Sequence, residues 1–453
     1  MLRIHDTARG RLVDLEPRDP GKVSMYVCGP TVYDVAHLGH GRHLLVFDVV
    51  RRYLEWSGLE VRYVSNVTDI EDKIIAKANA TGRSTDEVVA TYEAEWWRLV
   101  ERLGCRRPDE VPHATQYVDE MVTYIQDLID RGRAYATDDG VYFSVESLED
   151  YGQLARQSLE SLREGGGDRD VVGRTNKRSP LDFALWKNAK PGEPSWPSPW
   201  ADGRPGWHIE CTVMALGLLG DAFDLHGGGL DLQFPHHENE RAQAVAGGHA
   251  FATIWLHHGM VLAPGGQEMH RSAGNFVSLD DLLTRHDPRA YRLLVARSHY
   301  RSPMEVSEKN LADATEALRG LDRLVDTVGP TDAQPDAATL QRFRDYMDDD
   351  FNTPQAAAIL FEARRAANAA LDTEDRAHAE ALTAALLSIS GALGLSLGSV
   401  GDTVVDAAAA TLAQERDAAR AAKDWARADD LRAELEGRGW IIEDTAGGTR
   451  LRR

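Results

Sequence analysis

Cysteine is scarce in this chain: Cys28, Cys105 and Cys211 stand alone among 453 residues. Three thiols cannot build a disulfide framework, so a reducing, cytoplasmic setting is expected. No run of about 18 apolar residues occurs, which excludes a membrane-spanning helix. The opening stretch MLRIHDTARGRLVDLEPRDPG lacks an apolar signal core, and no secretion is expected. No G-x-x-x-x-G-K-[ST] sequence is present, which excludes a Walker-type phosphate loop. Basic residues are in deficit too, 51 Lys and Arg against 72 Asp and Glu, for a net charge of −21. An acidic average does not exclude a nucleic-acid partner, because phosphate binding needs only a local basic surface. From Glu415 to Arg453 the deficit vanishes, with nine basic and nine acidic residues, and Arg450, Arg452 and Arg453 close the chain. That asymmetry permits a polyanion site, although an ordinary solvated tail satisfies it equally.

What is present suggests several domains, since 453 residues exceed one typical core. Val23 to Cys28 alternates like a strand and stops at Gly29-Pro30. A helical pattern follows, with Leu44, Phe47, Val50 and Leu54 on one face. LEVRYVS, residues 59 to 65, reads as a second strand. Strand, helix, strand predicts a parallel βαβ unit, whose ligands sit beyond the carboxyl ends of the strands. Residues 75 to 135 read as helical, and YATDDGVYFSV as strand, turn and strand around Asp139-Gly140. Residues 165 to 205 read as a long loop or insertion. Beyond about 290 the pattern is helical, with a linker at 330 to 338. A helix start is expected at Thr353-Pro354, with Ala356, Leu360, Ala363 and Ala367 as its buried stripe. One last helix, about 408 to 437, precedes WIIED and TRLRR, which predict a small hairpin.

The stretch HGGGLDLQFPHHENE, residues 226 to 240, raises the functional question. It reads as a glycine loop, bare backbone for something to lie against, feeding a helix that opens at Pro235. His236 and Glu240 are four apart and share a helical face. With Cys28 at a strand end and Cys211 in GRPGWHIEC they make a sulfur, nitrogen and oxygen set that suits tetrahedral Zn2+. The alternative is that both cysteines are small buried hydrophobes. His237 with Arg241 cannot make the same pair, and Cys105 reads as structural. In YDVAHLGHGR, His37 and His40 flank Gly39 at a helix start, where free backbone donors and the helix dipole favour phosphate. Asp231 suits ribose hydroxyls.

Together, CGPTVYDVAHLGHGR, NVTDIEDKI, WPSPWADGRPGWHIEC, HGGGLDLQFPHHENE, DDDFNTPQA and AKDWARADDLRAEL resemble the class I cysteinyl-tRNA synthetases in content, order and spacing, over the whole chain. The resemblance implies an α/β fold: a Rossmann-type parallel-sheet catalytic domain with an inserted connective domain, an α-helical anticodon-stem domain and a small α+β C-terminal module. The expected division is 1–120 and 196–262 for the two catalytic halves and 121–195 for the insertion. Residues 263–330 would form the phosphate-loop and stem-contact region, 331–400 the helical tRNA-binding domain and 401–453 the anticodon module. HLGH matches the family's HIGH element. Cys28, Cys211, His236 and Glu240 fall on its four zinc-ligand positions. The implied reaction is activation of L-cysteine by ATP, carrying Mg2+, and transfer to tRNA(Cys). His37, His40, Gly227, Gly228, Gly229, Asp231 and Arg271 would bind ATP, with His37, His40 and Arg271 catalytic. Gly29, Thr31, Thr68, Trp207 and His226 would surround the amino acid, although Thr68 could instead cap the helix that follows. A monomer with no membrane partner is expected.

Two motifs depart from the family. Its KMSKS loop is here EMHRS, residues 268 to 272. Glu268 reverses the first lysine's charge, His270 replaces a serine, and Arg271 stands at the second lysine, a fork that still suits phosphate. In GTRLRR, Leu451 stands where the family carries tryptophan, removing a surface for stacking a base. Two other functions fit parts of this pattern. A mycothiol-pathway-like ligase would couple activated cysteine to a small amine, and a weakly active paralogue would only bind tRNA. The C-terminal tRNA-reading stretch argues against the first, and intact HLGH and zinc positions against the second.

Overall fold

In the computed structural model, described over residues 1–164, 176–263, 265–268, 277–398, 407–438, 440–445 and 448–452, four strands form one parallel sheet. Their order is Ala252–His258, Phe223–Gly229, Lys22–Val27, Glu60–Ser65. Lys22–Val27 is buried from Val23 onward, as a strand covered on both faces must be. Chain order runs outward from this strand in both directions, Glu60–Ser65 on one side and the later pair on the other. The direction of winding therefore reverses beside Lys22–Val27, the position where such sheets open a crevice. Residues Cys28, Gly29 and Gly229 lie at that end.

Helix Leu38–Trp56 follows the first strand, and Phe47, Val50 and Leu54 are buried while Leu44 is half-buried. Its far end is welded to the helical region: Trp56 meets Phe343 edge-on at 5.0 Å, and the Tyr53 hydroxyl donates to Asp348 at 2.6 Å. Between the halves of the parallel sheet, Ala134–Thr137, Gly140–Phe143, Phe183–Asn188 and Gly203–Pro205 form an antiparallel sheet in that order. The stretch read as loop thus contains two strands, whose burial the surrounding Gly, Pro and Ser obscured.

Three further expectations change in detail. Gly227, Gly228 and Gly229 form no loop: they end the buried strand Phe223–Gly229, paired on one side with Leu256, His257 and His258. The helix after them starts at Glu238, and Pro235 lies in the turn Gln233–His237 that precedes it. The single terminal helix is two, Ala407–Ala421 and Trp425–Gly437, separated at Lys423 with φ +62°. Helix Thr353–Asp372 begins where expected, but Asn352 caps it, accepting from the Gln355 N–H. Its stripe of Ala356, Leu360, Ala363 and Ala367 is buried. Ile441–Thr445 and Gly448–Arg452 do pair as an antiparallel hairpin.

Arg292, 2% exposed, ties these parts together. Its guanidinium meets Asp48 of the first helix at 2.6 Å and donates to the Leu103 carbonyl at 2.9 Å and the Leu393 carbonyl at 3.3 Å. Burial opposes ionisation of Asp48, yet Arg292 and Arg52 outweigh it and hold its carboxyl below the usual range. Removing one partner of a buried pair leaves an uncompensated charge. Arg292→Met is therefore expected to cost about 3 kcal/mol, measured as a lowered urea midpoint at unchanged slope; an unaltered midpoint would refute the role.

Candidate active site

The first helix presents its N-terminus to the crevice, and two histidines shape that end. The backbone N–H of Gly39 donates to His37 Nδ1 at 3.0 Å, and that of His37 donates to His40 Nδ1 at 3.2 Å. A backbone amide can only donate, so both Nδ1 atoms accept. In the neutral rings both Nε2 atoms must then carry the proton. Burial, then the nearby His37 and His43, push the His40 pKa well below its ordinary value, so the ring stays neutral. The two rings stack at 3.9 Å. The result is a paired imidazole donor at a helix N-terminus.

These rings line a cleft of about 410 Å³. Cys28, Gly29, Thr31, Trp207, Gly229 and Asp231 line it too. The chain beyond the EMHRS segment returns beside it: Ser278 pairs with His37, and the Leu279 N–H donates to the Ala36 carbonyl at 2.9 Å. At the other end of that segment Glu268 pairs with Leu262. Arg271 and His270 lie outside the described residues, as does the Leu451 side chain.

Beneath the cleft, Cys28, Cys211, His236 and Glu240 converge, with one donor atom of each within 4.8 Å of the others. Cys28 Sγ lies 3.3 Å and His236 Nε2 3.1 Å from Glu240 Oε1. All four residues are buried. Burial drives both thiols above their ordinary range and lowers His236 to about 3, leaving its lone pair free. Burial also opposes ionisation of Glu240, but His226 beside it outweighs burial and holds the carboxyl below its ordinary value. Among the described residues this carboxylate has no Lys or Arg partner; its neighbours are the Cys28 thiol and the rings of His226, His236 and His237. Such a buried anion among soft donors is the chemistry of a thiophilic cation site. His236 Nδ1 meets His208 Nδ1 at 3.0 Å, the outer contact that orients a ligating imidazole. Trp207 stacks on His236 at 4.0 Å and 17°.

His237, set aside by the spacing argument, belongs to a second set with Cys28, His226 and Glu240. Its signal was the doubled histidine, since i and i+3 as well as i and i+4 share a helical face. His226 is fully buried, donates from Nε2 to the Glu240 carboxylate at 2.9 Å and stacks on Trp255 at 4.5 Å. Gly227 and Gly228 are taken up by packing: a Cβ there would strike the rings of Phe47 and His237 respectively. Thr68 caps no helix, because Glu71 fills that position for Asp72–Thr81. The Thr68 hydroxyl instead donates to buried Glu210 at 3.0 Å, and its backbone pairs with Thr31. Asn66 joins the two regions, accepting the Gly29 N–H at 2.9 Å through Oδ1, which lies 3.7 Å from Cys211 Sγ. Glu210 and Asn66 stand in two of the quoted motifs but receive no role from the sequence, because neither a lone acid nor a lone amide carries a spacing signal.

This arrangement can hold a nucleotide at the helix end and a sulfur-bearing ligand over the cluster. Comparison with known proteins decides between uses of it. Residues 14–316 match the family described as "tRNA synthetases class I (C) catalytic domain", and residues 342–398 match the DALR domain. The cysteine–tRNA ligase of Halorhodospira halophila is 44% identical over the full length of both chains.

The chain belongs to the cysteine–tRNA ligase family.

The cysteine–tRNA ligase of Thioalkalivibrio sulfidiphilus is 46% identical, again across both whole chains. Among solved structures, Mycobacterium tuberculosis methionyl-tRNA synthetase in complex with methionyl-adenylate superposes with a TM-score of 0.61. It covers 82% of this chain and 89% of its own at 14% identity, a likeness of fold. Membership places this protein among the class I aminoacyl-tRNA synthetases, with a Rossmann-like parallel sheet and a helical DALR region. No helix among the described residues is long and apolar enough to cross a membrane.

Proposed function

We propose that this protein activates L-cysteine with ATP and transfers it to the terminal adenosine of tRNA(Cys). The single observation that carries the reading is full-length identity of 44% to a cysteine–tRNA ligase; Cys28 of the metal-competent cluster and the His37–His40 pair line one cleft in support of it. The cysteine carboxylate attacks the α-phosphate, pyrophosphate leaves, and the tRNA hydroxyl then displaces AMP. His37 and His40 present Nε2–H donors where phosphate charge develops, a preorganised arrangement that needs no rearrangement during reaction. Asp231, exposed at the cleft, suits the ribose, and Arg271 the leaving phosphates, with Mg2+ accompanying ATP. Gly29 and Thr31 line the amino-acid end beside Trp207. The donor set Cys28, Cys211, His236 and Glu240 fits Zn2+, which when bound would accept the substrate thiolate and disfavour the neutral hydroxyl of serine. Apolar contacts alone discriminate by only ~10- to 200-fold per methylene.

The helices from Glu308 to Ala392 and the two-helix and hairpin unit beyond Ala407 are proposed to read the tRNA. That use favours tRNA over a small amine as acceptor. Action in the cytoplasm as a monomer completes the proposal. Pyrophosphate exchange with cysteine, then charging of purified tRNA(Cys), tests it. Both are expected, with serine a poor substrate. Exchange without charging would point to an amine acceptor, and tRNA binding without exchange to an inactive paralogue.

A further inference from the structure

Among the described residues that line the cleft, Lys73 is the one lysine or arginine. It stands in the first turn of Asp72–Thr81 and is exposed. The cations around it are neutralised by carboxylates. Lys187 meets Asp72 at 2.6 Å, Arg204 meets the same carboxylate, and Lys77 meets Asp34 at 3.2 Å. Lys73 makes no ion pair at contact distance among the described residues, although the Glu71 carboxyl that caps its helix lies within its electrostatic reach. Its Nζ hovers 5.7 Å from the centroid of the Tyr33 ring, another lining residue. An exposed contact of that kind is weak, so a phosphate oxygen would displace it readily. An unpaired ammonium in a cleft that handles phosphates is a phosphate receptor by chemistry.

We infer that Lys73 holds a phosphate of the tRNA acceptor end as it enters to collect the activated cysteine. The inference rests on the function proposed above. Two polyanions use that cleft, and its walls are tied differently. The His37–His40 helix is tied to the segment returning from EMHRS, through Ser278 and Leu279. The Lys73 helix is tied to the inserted antiparallel sheet, through Asp72 with Lys187 and Arg204. ATP phosphates belong with the first wall, which leaves the second for the incoming strand.

The test uses full-length Lys73→Ala and Lys73→Arg, with cysteine-dependent pyrophosphate exchange and single-turnover transfer from preformed adenylate to tRNA(Cys). Lys73→Ala is expected to lower kcat/KM for tRNA by about 10- to 100-fold, the range for one hydrogen bond to a charged group. Exchange should stay within about twofold of the parent, since only the second step loses a contact. The salt dependence of kcat/KM should flatten by about 0.7 in its logarithmic slope, one phosphate's share. Lys73→Arg should recover most of the loss. A matching fall in exchange with a raised KM for ATP would move the phosphate to ATP and overturn the inference. So would transfer at the parental rate and salt slope. Failure of the parent protein itself to charge tRNA would instead overturn the proposed function, and is read separately in the same assays.

Discussion

Cys211→Ser is expected to remove stoichiometric zinc and to lower cysteine-dependent pyrophosphate exchange by about 1,000-fold or more, while the fold survives. The first half follows from donor chemistry. Structural Zn2+ in sulfur and nitrogen sites is bound by roughly 10–16 kcal/mol, and hydroxyl is a far poorer ligand than thiolate. Losing one of four donors removes a large part of that affinity. Survival of the fold follows from the surroundings. Cys211 is 1% exposed within helix Trp207–Leu219, and Asn66 Oδ1 lies 3.7 Å from its sulfur, an acceptor that a serine hydroxyl can use. Near-native circular dichroism would show that survival. Metal analysis of the purified variant, beside exchange with cysteine and with serine, reads the rest. Discrimination against serine should collapse along with the metal. Full zinc content, or full exchange without zinc, would contradict the proposed role of the cluster.

His40→Ala is expected to lower kcat for exchange by about 100- to 1,000-fold, the range for deleting one donor that stabilises developing oxyanion charge. KM for cysteine should change little, because the ring is placed for the transition state of phosphate transfer. The loss has a second component. His40 Nδ1 accepts the His37 N–H at 3.2 Å, and His37 in turn caps the helix through Gly39. His40→Asn could keep that acceptor and should recover part of the activity. The pH profile separates donor from acid catalyst. With its pKa pushed far below 6.5 by burial, His40 is neutral through pH 6 to 8, and its removal should neither add nor erase an inflection there. Since the folded value is depressed, the unfolded chain binds the proton more readily. Stability from this group is therefore present above pH 6.5 and lost as the pH falls below it. An inflection near pH 7 that vanished in the variant would show an imidazolium acid instead.

Periodicity over Val23 to Cys28 and residues 59 to 65 was enough to place a parallel unit and to put Cys28 at a strand end. The spacing of His236 and Glu240 was enough to make them neighbours, at 3.1 Å, although the helix begins two residues after His236. Turn geometry carried the i, i+4 relation without regular helix. The glycine run misled for a physical reason. Glycine marks any place where a side chain cannot fit, and here the occupying groups are Phe47 and His237 from elsewhere in the fold. Asn66, Glu210 and Lys73 stand inside motifs quoted from the sequence yet carried no role of their own there, as each acquires meaning only from partners distant in sequence.

Local patterning and motif order therefore determined the family, the kind of fold, and the side chains able to bind metal and phosphate. These depend on which residue types recur at which spacing, information carried along the chain itself. Tertiary structure alone decided which carboxylate lacks a cation, which imidazole nitrogens carry protons, which glycines face the cleft and which lysine is left unpaired. Those properties are set by burial and by contacts across tens to hundreds of residues, and no local pattern encodes them.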